Sequence, residues 1–549
     1  MKQLIFLAAF TLVAIAKISA QAVPAPHLEQ RGKATQLIVG GQPFLVLGGE
    51  LYNSSSSSIP FLDELWAPLK KMNLNTVLAA VAWEQLEPQE GKYDFTVVDG
   101  IIKGAKSNKM KVVLLWFGSW KNGLSHYAPL WVKSDIKRFP RILLENGKST
   151  ETISATSEEA ARADAKAFGA MMKHVKEVDA SDQTVIMVQV ENEVGIIGGI
   201  RDHSSIANDL FAKPVPKILM DGIVKFKAEL QPAFKTLWQS AGSKTSGNWT
   251  EVFGNGPAAD EAFMAWHYAS YINRVAEAGK SQYNLPMFIN AWIVQPNDKK
   301  PGDYPSGGPQ AHVHDIYRIG APSIDIKSPD VYLPGFKDVA ALYHHPWNPL
   351  FIPESFAGID GASNAFYSIG KFNGIGYSPF GIDRKVDTPS NTPIAKAYFL
   401  LGQLTPAILA AQAAGNISGM SLSFPDSIRS FELGGYKITV TLRKNWNGVI
   451  QAPKGYCIIM HTSPNEFTIA GSNVDVTFIP ATPGPSMSGI ASVWEGTYNN
   501  SMWIPGRLLN GDDIMMSYNL AEEAMENRTG TGARLLEEPS IVKVLLYRF

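Results

Sequence analysis

Two glutamates end apolar runs that are long enough to be buried strands. Glu193 ends the run TVIMVQVENE at residues 184–193, and Glu354 lies at the end of PLFIPES at residues 349–355. Charged side chains are rarely buried unless they are paired or functional. Hydrolysis of a glycosidic bond needs two carboxyl groups, one to protonate the leaving oxygen and one on the other side of the anomeric carbon. The pair therefore predicts glycoside hydrolysis, and two ordinary surface glutamates are the alternative.

The residues just before Glu193 have separate predicted uses. The carboxamide of Asn192 can hydrogen-bond a sugar hydroxyl beside the anomeric centre, and such bonds strengthen as the oxocarbenium-like state develops. Glu191 is expected to support the site from behind rather than to touch the substrate.

Eight apolar runs are spaced along the first three quarters of the chain. They occupy residues 43–51, 75–83, 111–120, 184–193, 286–292, 323–332, 349–355 and 373–381. Continuous apolar runs are typical of parallel strands that are covered on both faces. Helical patterns lie between most of them, so the sequence predicts a (β/α)8 barrel over residues 24–414.

The carboxyl ends of these runs collect polar and aromatic residues. In a (β/α)8 barrel the active site lies at this end, and strands four and seven place Glu193 and Glu354 across the pocket from each other. Indole rings there could stack on sugar faces or be core. The candidate substrate-binding residues are Glu50, Trp83, Ser119, Trp120, Trp292, Tyr332 and Tyr377.

The residue pattern of the sequence changes after residue 414. Short alternating segments separated by Gly, Asn and Pro predict an all-β, sandwich-like domain over residues 415–549. The sequence leaves two roles open for this domain, packing against the barrel and carbohydrate binding.

The chain begins with a basic residue, an apolar run and a small-residue site, which predicts an export signal over residues 1–20. Cys457 is the only cysteine, so an intramolecular disulfide and a cysteine zinc site are excluded. We expect an exported, periplasmic or extracellular protein in a bacterial context.

The chain carries 49 basic and 50 acidic residues. This balance argues against nucleic acid and anionic membranes as partners. An oligosaccharide is the expected partner, and the oligomeric state is left open. His312, His314 and Asp315 superficially resemble metal ligands, but their spacing is a weak signal, so neither a metal nor another cofactor is expected.

Three motifs resemble glycoside hydrolase family 35, chiefly β-galactosidases of the large retaining (β/α)8 clan. They are VQVENEVG, AWEQLEPQEGKYDF and PLFIPESF, and the resemblance extends over about residues 40–381. It implies that Glu193 is the acid/base and Glu354 the nucleophile. A retaining enzyme keeps its two carboxyl groups about 5 Å apart, and it needs a raised pKa at the acid/base.

The sequence departs from better-known members at two positions that touch the sugar in those proteins. Ala80 stands near the expected tyrosine, and Gly118-Ser119-Trp120 stands in place of Ala-Glu-Trp. Lys121 and Asn122 are candidate replacements.

The leading hypothesis is an exo-acting retaining β-galactosidase that trims galactose from oligosaccharides, for example those of plant polysaccharides such as xyloglucan. One alternative keeps the fold and mechanism but changes the sugar, to an arabinoside, a fucoside or a glucosamine-type unit. The other is a non-catalytic carbohydrate-binding protein.

Overall fold

The computed structural model describes residues 23–385, 392–445, 449–515 and 531–549. The predicted signal peptide at residues 1–20 lies outside the described residues, so it stays a prediction.

Eight parallel strands close into a barrel, which confirms the predicted fold class. Each of the eight predicted runs contains one of them. In chain order, and numbered one to eight below, the barrel strands are Val46–Glu50, Thr76–Ala82, Lys111–Phe117, Val185–Val190, Met287–Trp292, Ile326–Val331, Phe351–Ile352 with Glu354–Ser355, and Gly376–Tyr377. Strand eight pairs with both strand seven and strand one, so the sheet has no free edge.

Strand seven is interrupted at Pro353. Proline has no backbone N–H to give to a neighbouring strand. The strand therefore divides into Phe351–Ile352, which pairs with strand eight, and Glu354–Ser355, which pairs with strand six. The break comes one residue before Glu354.

A helix follows every barrel strand and covers its outer face. These helices are Ile59–Lys71, Thr96–Ser107, Glu158–Asp179, Pro257–Gln282, His314–Gly320, Phe336–Tyr343, Ile359–Lys371 and Pro393–Ala414. Shorter helices lie in the loops at Trp83–Leu86, Leu130–Ser134, Ser205–Phe211, Lys217–Lys225, Pro232–Ser240 and Trp249–Phe253. Single 3-10 turns span Ala311–Val313, Ile382–Lys385 and Gly511–Asp513, and a small hairpin pairs Arg141–Leu143 with Ser149–Ile153.

Side chains fill the barrel interior and leave no open channel through it. Leu78, Leu115, Phe288 and Phe351 are among the fully buried members of this inner cluster. The strands are apolar on both faces because one face meets this cluster and the other meets the helices.

A three-stranded antiparallel sheet precedes the barrel and closes its amino-terminal end. It consists of His27–Arg31, Ala34–Val39 and Gln42–Phe44, and Leu37 and Val39 join the inner cluster. The sequence predicts residues 43–51 as one apolar strand. The structure divides that run at Leu45, because its first part pairs within this sheet and only its second part enters the barrel.

Two antiparallel sheets form the all-β region after the barrel. The six-stranded sheet contains Ile417–Ser423, Lys454–Ser463, Glu466–Ser472, Ser540–Arg548, Ser488–Asn499 and Met502–Leu509 in spatial order. The five-stranded sheet contains Ile428–Leu433, Tyr436–Leu442, Val474–Pro480, Thr531–Leu535 and Ile514–Met515. A separate apolar core lies between them and includes Cys457, whose thiol pKa is raised by burial.

The six-stranded sheet is apolar on its outer face as well. Tyr456, Ile458 and Met460 on that face belong to the same apolar core as the barrel helices. Gly419 lies against Gly370 of the helix Ile359–Lys371, so closely that a Cβ on Gly419 would be 2.3 Å from a backbone carbonyl oxygen of that helix. The β region is therefore packed onto the barrel as part of one core.

One helix of the described residues, Pro393–Ala414, is long and apolar enough to cross a membrane by length and composition alone. In this fold it is packed between the barrel and the β region. Its Tyr398 hydroxyl is fully buried and donates to the carbonyl oxygens of Gly48 and Tyr377. The helix has the contacts of a core helix.

Candidate active site

Glu193 and Glu354 meet at the carboxyl-terminal mouth of the barrel. Glu193 lies three residues beyond strand four, and Glu354 lies in strand seven. One carboxyl oxygen from each of Glu193, Glu354 and Asp330 lies within 4.8 Å of the other two. Glu193 keeps 6% of its surface exposed and Glu354 keeps 4%, so only a small part of each group faces the pocket.

The backbone leaves strand four in an unusual way. Glu191 and Glu193 have left-handed φ values of 61° and 44°, so the regular alternation of side chains stops there. Glu191 turns behind the site, where its carboxyl oxygens accept the backbone N–H groups of Ser119 at 3.2 Å and Trp120 at 2.7 Å. The supporting role expected of Glu191 stays a prediction, which these two hydrogen bonds favour.

Asn290 on strand five hydrogen-bonds to all three residues of this carboxyl cluster. Its Nδ2 donates to Asp330 at 2.7 Å and to Glu354 at 3.1 Å, and its Oδ1 accepts the backbone N–H of Glu193 at 3.1 Å. Asn290 and Asp330 were not among the predicted site residues. The available signal was a polar residue inside the apolar runs of strands five and six, two positions before Trp292 and Tyr332.

Three donors surround the Glu354 carboxyl group. Asn192 Nδ2 donates to it at 3.3 Å, Asn290 Nδ2 at 3.1 Å and the Tyr332 hydroxyl at 2.9 Å. Asn192 and Tyr332 thus both hold Glu354, and their contact with substrate stays a prediction.

Lys121 and Asn122 enter the site from a tight turn after strand three. Asn122 and Gly123 both have positive φ, 53° and 67°, and Lys121 and Leu124 exchange backbone hydrogen bonds around them. This is the type I′ geometry that an Asn-Gly pair favours. The turn points the Asn122 carboxamide at Glu193, to which it donates a short hydrogen bond.

Burial and the neighbouring charges shift the pKa values of several site residues. Burial, followed by the charge of Glu354, raises the pKa of Glu193 to about 7, and Lys121 opposes this shift. Burial also raises the pKa of Asp330 well above its usual range, with Glu354 as the second cause. At Lys121 burial acts against protonation, but the surrounding carboxyl groups, Glu354 foremost, outweigh it and raise the pKa of the ammonium group.

Glu50 ends strand one inside the same cluster. It is fully buried, and neither of its carboxyl oxygens has a hydrogen-bond partner among the described residues. Burial, then the charge of Glu354, raises its pKa well above the usual range. A buried polar group without a partner is costly, so Glu50 has unused capacity to bond a sugar hydroxyl.

Four predicted substrate-binding residues are placed away from the pocket, which corrects those predictions. Trp83, Trp120, Ser119 and Tyr377 have no exposed surface. Each indole N–H already has a hydrogen-bond acceptor. That of Trp83 donates to Glu87, and that of Trp120 donates to the Ile153 carbonyl oxygen. The Ser119 hydroxyl bonds Asp164 and Tyr271 behind the site, and the Tyr377 hydroxyl donates to a backbone carbonyl. Trp292 stays partly exposed at the end of strand five.

The histidines considered as metal ligands do not converge. His312 pairs with Glu261 at 2.9 Å, whereas Asp315 accepts the backbone N–H of Gln231 at 2.7 Å. Among the described residues, the carboxyl groups of Glu193, Asp330 and Glu354 lie close enough together to hold a metal ion. These carboxyl groups are already joined through Asn290, and the expectation of no metal stays a prediction.

Two opposed carboxyl groups at the carboxyl-terminal mouth of a (β/α)8 barrel form the kind of site that glycoside hydrolysis needs. Residues 52–249 match the model of glycoside hydrolase family 42, described as β-galactosidase. Residues 394–520 match a domain of unknown function, DUF5597. The expected family 35 was therefore wrong, since the matching family is 42, while the coarser expectation of a β-galactosidase-like glycoside hydrolase is confirmed.

One curated relative is a β-galactosidase of Xanthomonas manihotis, 28% identical over 207 residues, which are 36% of this chain and 31% of the relative. The chain thus matches about a third of that relative's length.

Solved structures with weaker similarity include two glycosidases. The catalytic domain of β-amylase from Paenibacillus polymyxa has a TM-score of 0.47 and 10% identity, over 65% of this chain and 97% of that one. The β-galactosidase from Bacillus circulans sp. alkalophilus has a TM-score of 0.45 and 14% identity, over 67% and 57%. The fold of this chain is shown by its own strand pairing.

Proposed function

We propose that this protein is an exo-acting retaining β-galactosidase that releases terminal β-galactose from oligosaccharides, such as those derived from plant polysaccharides like xyloglucan. The observation that carries the proposal is the approach of the Glu193 and Glu354 carboxyl oxygens to within 4.8 Å. Retaining enzymes hold this pair about 5–5.5 Å apart, whereas inverting enzymes leave about 6.5–9.5 Å for a water molecule.

In the first step Glu354 attacks the anomeric carbon. The bond to the leaving oxygen breaks while Glu193 gives that oxygen its proton, and a galactosyl ester forms on Glu354. Tyr332 and Asn290 orient the attacking carboxylate. Because the pKa of Glu193 is raised to about 7, a large fraction of this group carries its proton near neutral pH.

In the second step water attacks the anomeric carbon and gives a proton to Glu193, and the ester bond to Glu354 breaks. Esterification removes the charge of Glu354, which is the second largest cause of the raised pKa at Glu193. The pKa of Glu193 therefore falls in the intermediate, and the same group becomes a base when a base is needed.

Azide rescue of two variants tests these roles with an activated aryl β-galactoside. Glu193→Ala should form the ester and, with azide, give β-galactosyl azide, because azide enters from the face that water uses. Glu354→Ala should be rescued to α-galactosyl azide, because azide replaces the missing nucleophile. Full activity of either variant without azide, or the opposite anomers, would contradict the assignment.

The second candidate keeps the mechanism and changes the sugar. It is favoured by Ala80, which leaves space near strand two, and by Glu50 and Lys121, whose buried carboxyl and ammonium groups interact with Glu193 and Glu354. A panel of aryl β-galactosides, α-arabinosides, β-fucosides and β-glucosaminides decides between the candidates. Faster turnover of another sugar than of galactose would replace galactose in the proposal.

A further inference from the structure

A cavity of about 390 Å³ opens at the mouth of the barrel beside strands one and two. Its floor includes Ala80 and Ala82 of strand two, whose small side chains leave the space unfilled. Its walls include Asn53, Ser54, Ser57, Glu84, Gln85 and Tyr127. None of the catalytic steps above uses these residues.

The cavity adjoins the catalytic centre. Ala80 belongs to the inner cluster of the barrel together with Phe117. The Phe117 ring meets Tyr127 of the cavity wall at 5.0 Å between centroids, and the Lys121 ammonium lies 5.2 Å from the same ring. Lys121 in turn interacts with both Glu193 and Glu354. One aromatic ring thus separates the cavity wall from the catalytic charges.

The strand order assigns the cavity to one side of the cleaved bond. The strands follow one another around the barrel, so strands four and seven leave a short arc of strands five and six and a long arc of strands eight, one, two and three. On the short arc, Asn290 and Tyr332 already bond the catalytic carboxyl groups. On the long arc, Glu50 has no partner among the described residues.

Asp330 on the short arc keeps one oxygen without a partner, because its other oxygen accepts from Asn290, whereas both oxygens of Glu50 on the long arc are without a partner among the described residues. The larger free hydrogen-bonding capacity of these carboxyl groups therefore faces the long arc, and the ring that is to be cleaved off is assigned to that side. The cavity at strands one and two lies farther out on the same arc, so a substituent on that ring would extend into it.

The lining has the chemistry of a carbohydrate site. Serine hydroxyls, carboxamides and one aromatic ring line it, and its acidic member Glu84 pairs with Lys133 at 3.1 Å. The Asn53 Oδ1 atom is buried and without a partner among the described residues. Sites for small ligands have volumes of about 300–1,000 Å³ with a few well-placed polar groups, and an aromatic ring supplies an apolar face for a sugar ring.

We propose that this cavity binds a second sugar unit attached to the galactose that is cleaved, so that the enzyme releases substituted galactose as well as free galactose. This inference rests on the proposed function and extends it, because it assigns a specificity site on the non-reducing side of the bond.

The test compares aryl substrates that differ only in the second unit. One is 4-nitrophenyl β-galactoside, and the others are 4-nitrophenyl β-galactosides that carry a second hexose or deoxyhexose on O2, O3, O4 or O6 of the galactose. Nitrophenol release reports cleavage of the same bond in each. Ser54→Trp fills the cavity from its exposed rim, and the Ser54 side chain makes no hydrogen bond in the described structure. Ser58→Trp is the matched control, an exposed serine of the same loop outside the cavity.

The wild-type enzyme should cleave at least one substituted galactoside with a kcat/KM at or above that of the unsubstituted one. Ser54→Trp should lose about tenfold or more in kcat/KM on that substrate, stay within about twofold on the unsubstituted one, and keep the wild-type unfolding temperature. Ser58→Trp should match the wild type on both.

Three results would overturn the inference. They are cleavage of the plain galactoside with none of the substituted ones, equal losses of Ser54→Trp on both substrates, and equal losses of Ser54→Trp and Ser58→Trp on the substituted substrate. Failure of the wild type on every galactoside, the plain one included, would instead remove the proposed function and this inference with it.

Discussion

The carboxamide of Asn122 gives Glu193 a donor that favours its ionised form. General-acid catalysis needs protonated Glu193, so kcat/KM should fall as the pH rises through about 7, the raised pKa of this group. Asn122→Ala removes the donor, so the pKa of Glu193 rises further and the alkaline limb of the profile moves to higher pH. The measurement is the pH dependence of kcat/KM for an aryl galactoside. Asn146→Ala, a surface variant, should leave the limb in place, and a lower rate with an unmoved limb for Asn122→Ala would contradict the role.

Tyr332 holds the carboxylate that attacks the sugar, with its hydroxyl 2.9 Å from Glu354. Tyr332→Phe removes this bond and nothing else of the ring. A hydrogen bond to a charged group contributes about 1.5–3 kcal/mol, and each 1.36 kcal/mol is a factor of ten in rate. We expect kcat/KM to fall by about 10- to 100-fold with little change in the unfolding temperature. Tyr367→Phe, a partly buried tyrosine of the helix Ile359–Lys371, is the control. Equal rates for both variants would show that the contact of Tyr332 does not contribute to catalysis.

Individual site residues differ in how far the sequence predicts them. Glu193 and Glu354 were predictable because a carboxyl group at the end of a buried run has few structural explanations. Asn290 was missed because one amide inside an apolar run gives no sign of which side chains it will meet. Trp83 and Trp120 were predicted to bind substrate, but both are buried. A tryptophan beside a strand end either lines the pocket or joins the core, and the helices packed over it decide which.

At the scale of elements, the end of strand four supports the turn after strand three. Glu191 accepts the N–H groups of Ser119 and Trp120, directly before Lys121 and Asn122. Glu191→Ala leaves the Trp120 N–H without its partner, and an unsatisfied buried group costs about 1–3 kcal/mol. We expect a loss of this size in the free energy of unfolding by urea, together with a large fall in kcat/KM as the turn shifts. Glu64→Ala on an exposed helix face should change neither quantity, and an active, fully stable Glu191→Ala would refute the supporting role.

Which elements could be predicted depended on their length and burial. Eight strands were predictable because runs covered on both faces stay apolar throughout. The division of residues 43–51 between two sheets was not, because a pairing partner decides it and the local pattern does not change there. The break in strand seven is caused by Pro353, which is visible in the sequence. That the two halves belong to one barrel strand is shown only by their pairing with strands six and eight.

At the scale of the whole molecule, the barrel and the β region meet through glycine. A Cβ on Gly419 would lie 2.3 Å from the Phe366 carbonyl oxygen, whereas the nearest atom to a Cβ on Gly402 is a side-chain carbon at 3.8 Å. Overpacking of this kind costs about 1–3 kcal/mol, so Gly419→Ala should unfold at a lower temperature by calorimetry. Gly402→Ala, in a helix with room for a methyl group, should be neutral or stabilised by about 0.5–1 kcal/mol. Equal unfolding temperatures for the two variants would mean that the two regions do not pack closely there.

Export and the absence of nucleic-acid and membrane partners stay predictions of the sequence. The all-β character of the β region was predicted from the sequence. The core that it shares with the barrel was not, because the sequence pattern of an apolar sheet face does not show which surface that face will contact.

Tyr398 connects the two strands at which the barrel closes. Its hydroxyl bonds Gly48 of strand one and Tyr377 of strand eight, and Tyr398 and Gly48 are 350 residues apart in the chain. Contacts this distant in sequence form slowly, so we expect this seam to be the last part of the barrel to close during folding. Until strand eight pairs with strands one and seven, those two strands each present an unpaired edge, and such edges invite pairing with other chains. The seam is therefore the part of the barrel that is most exposed to aggregation while the chain folds.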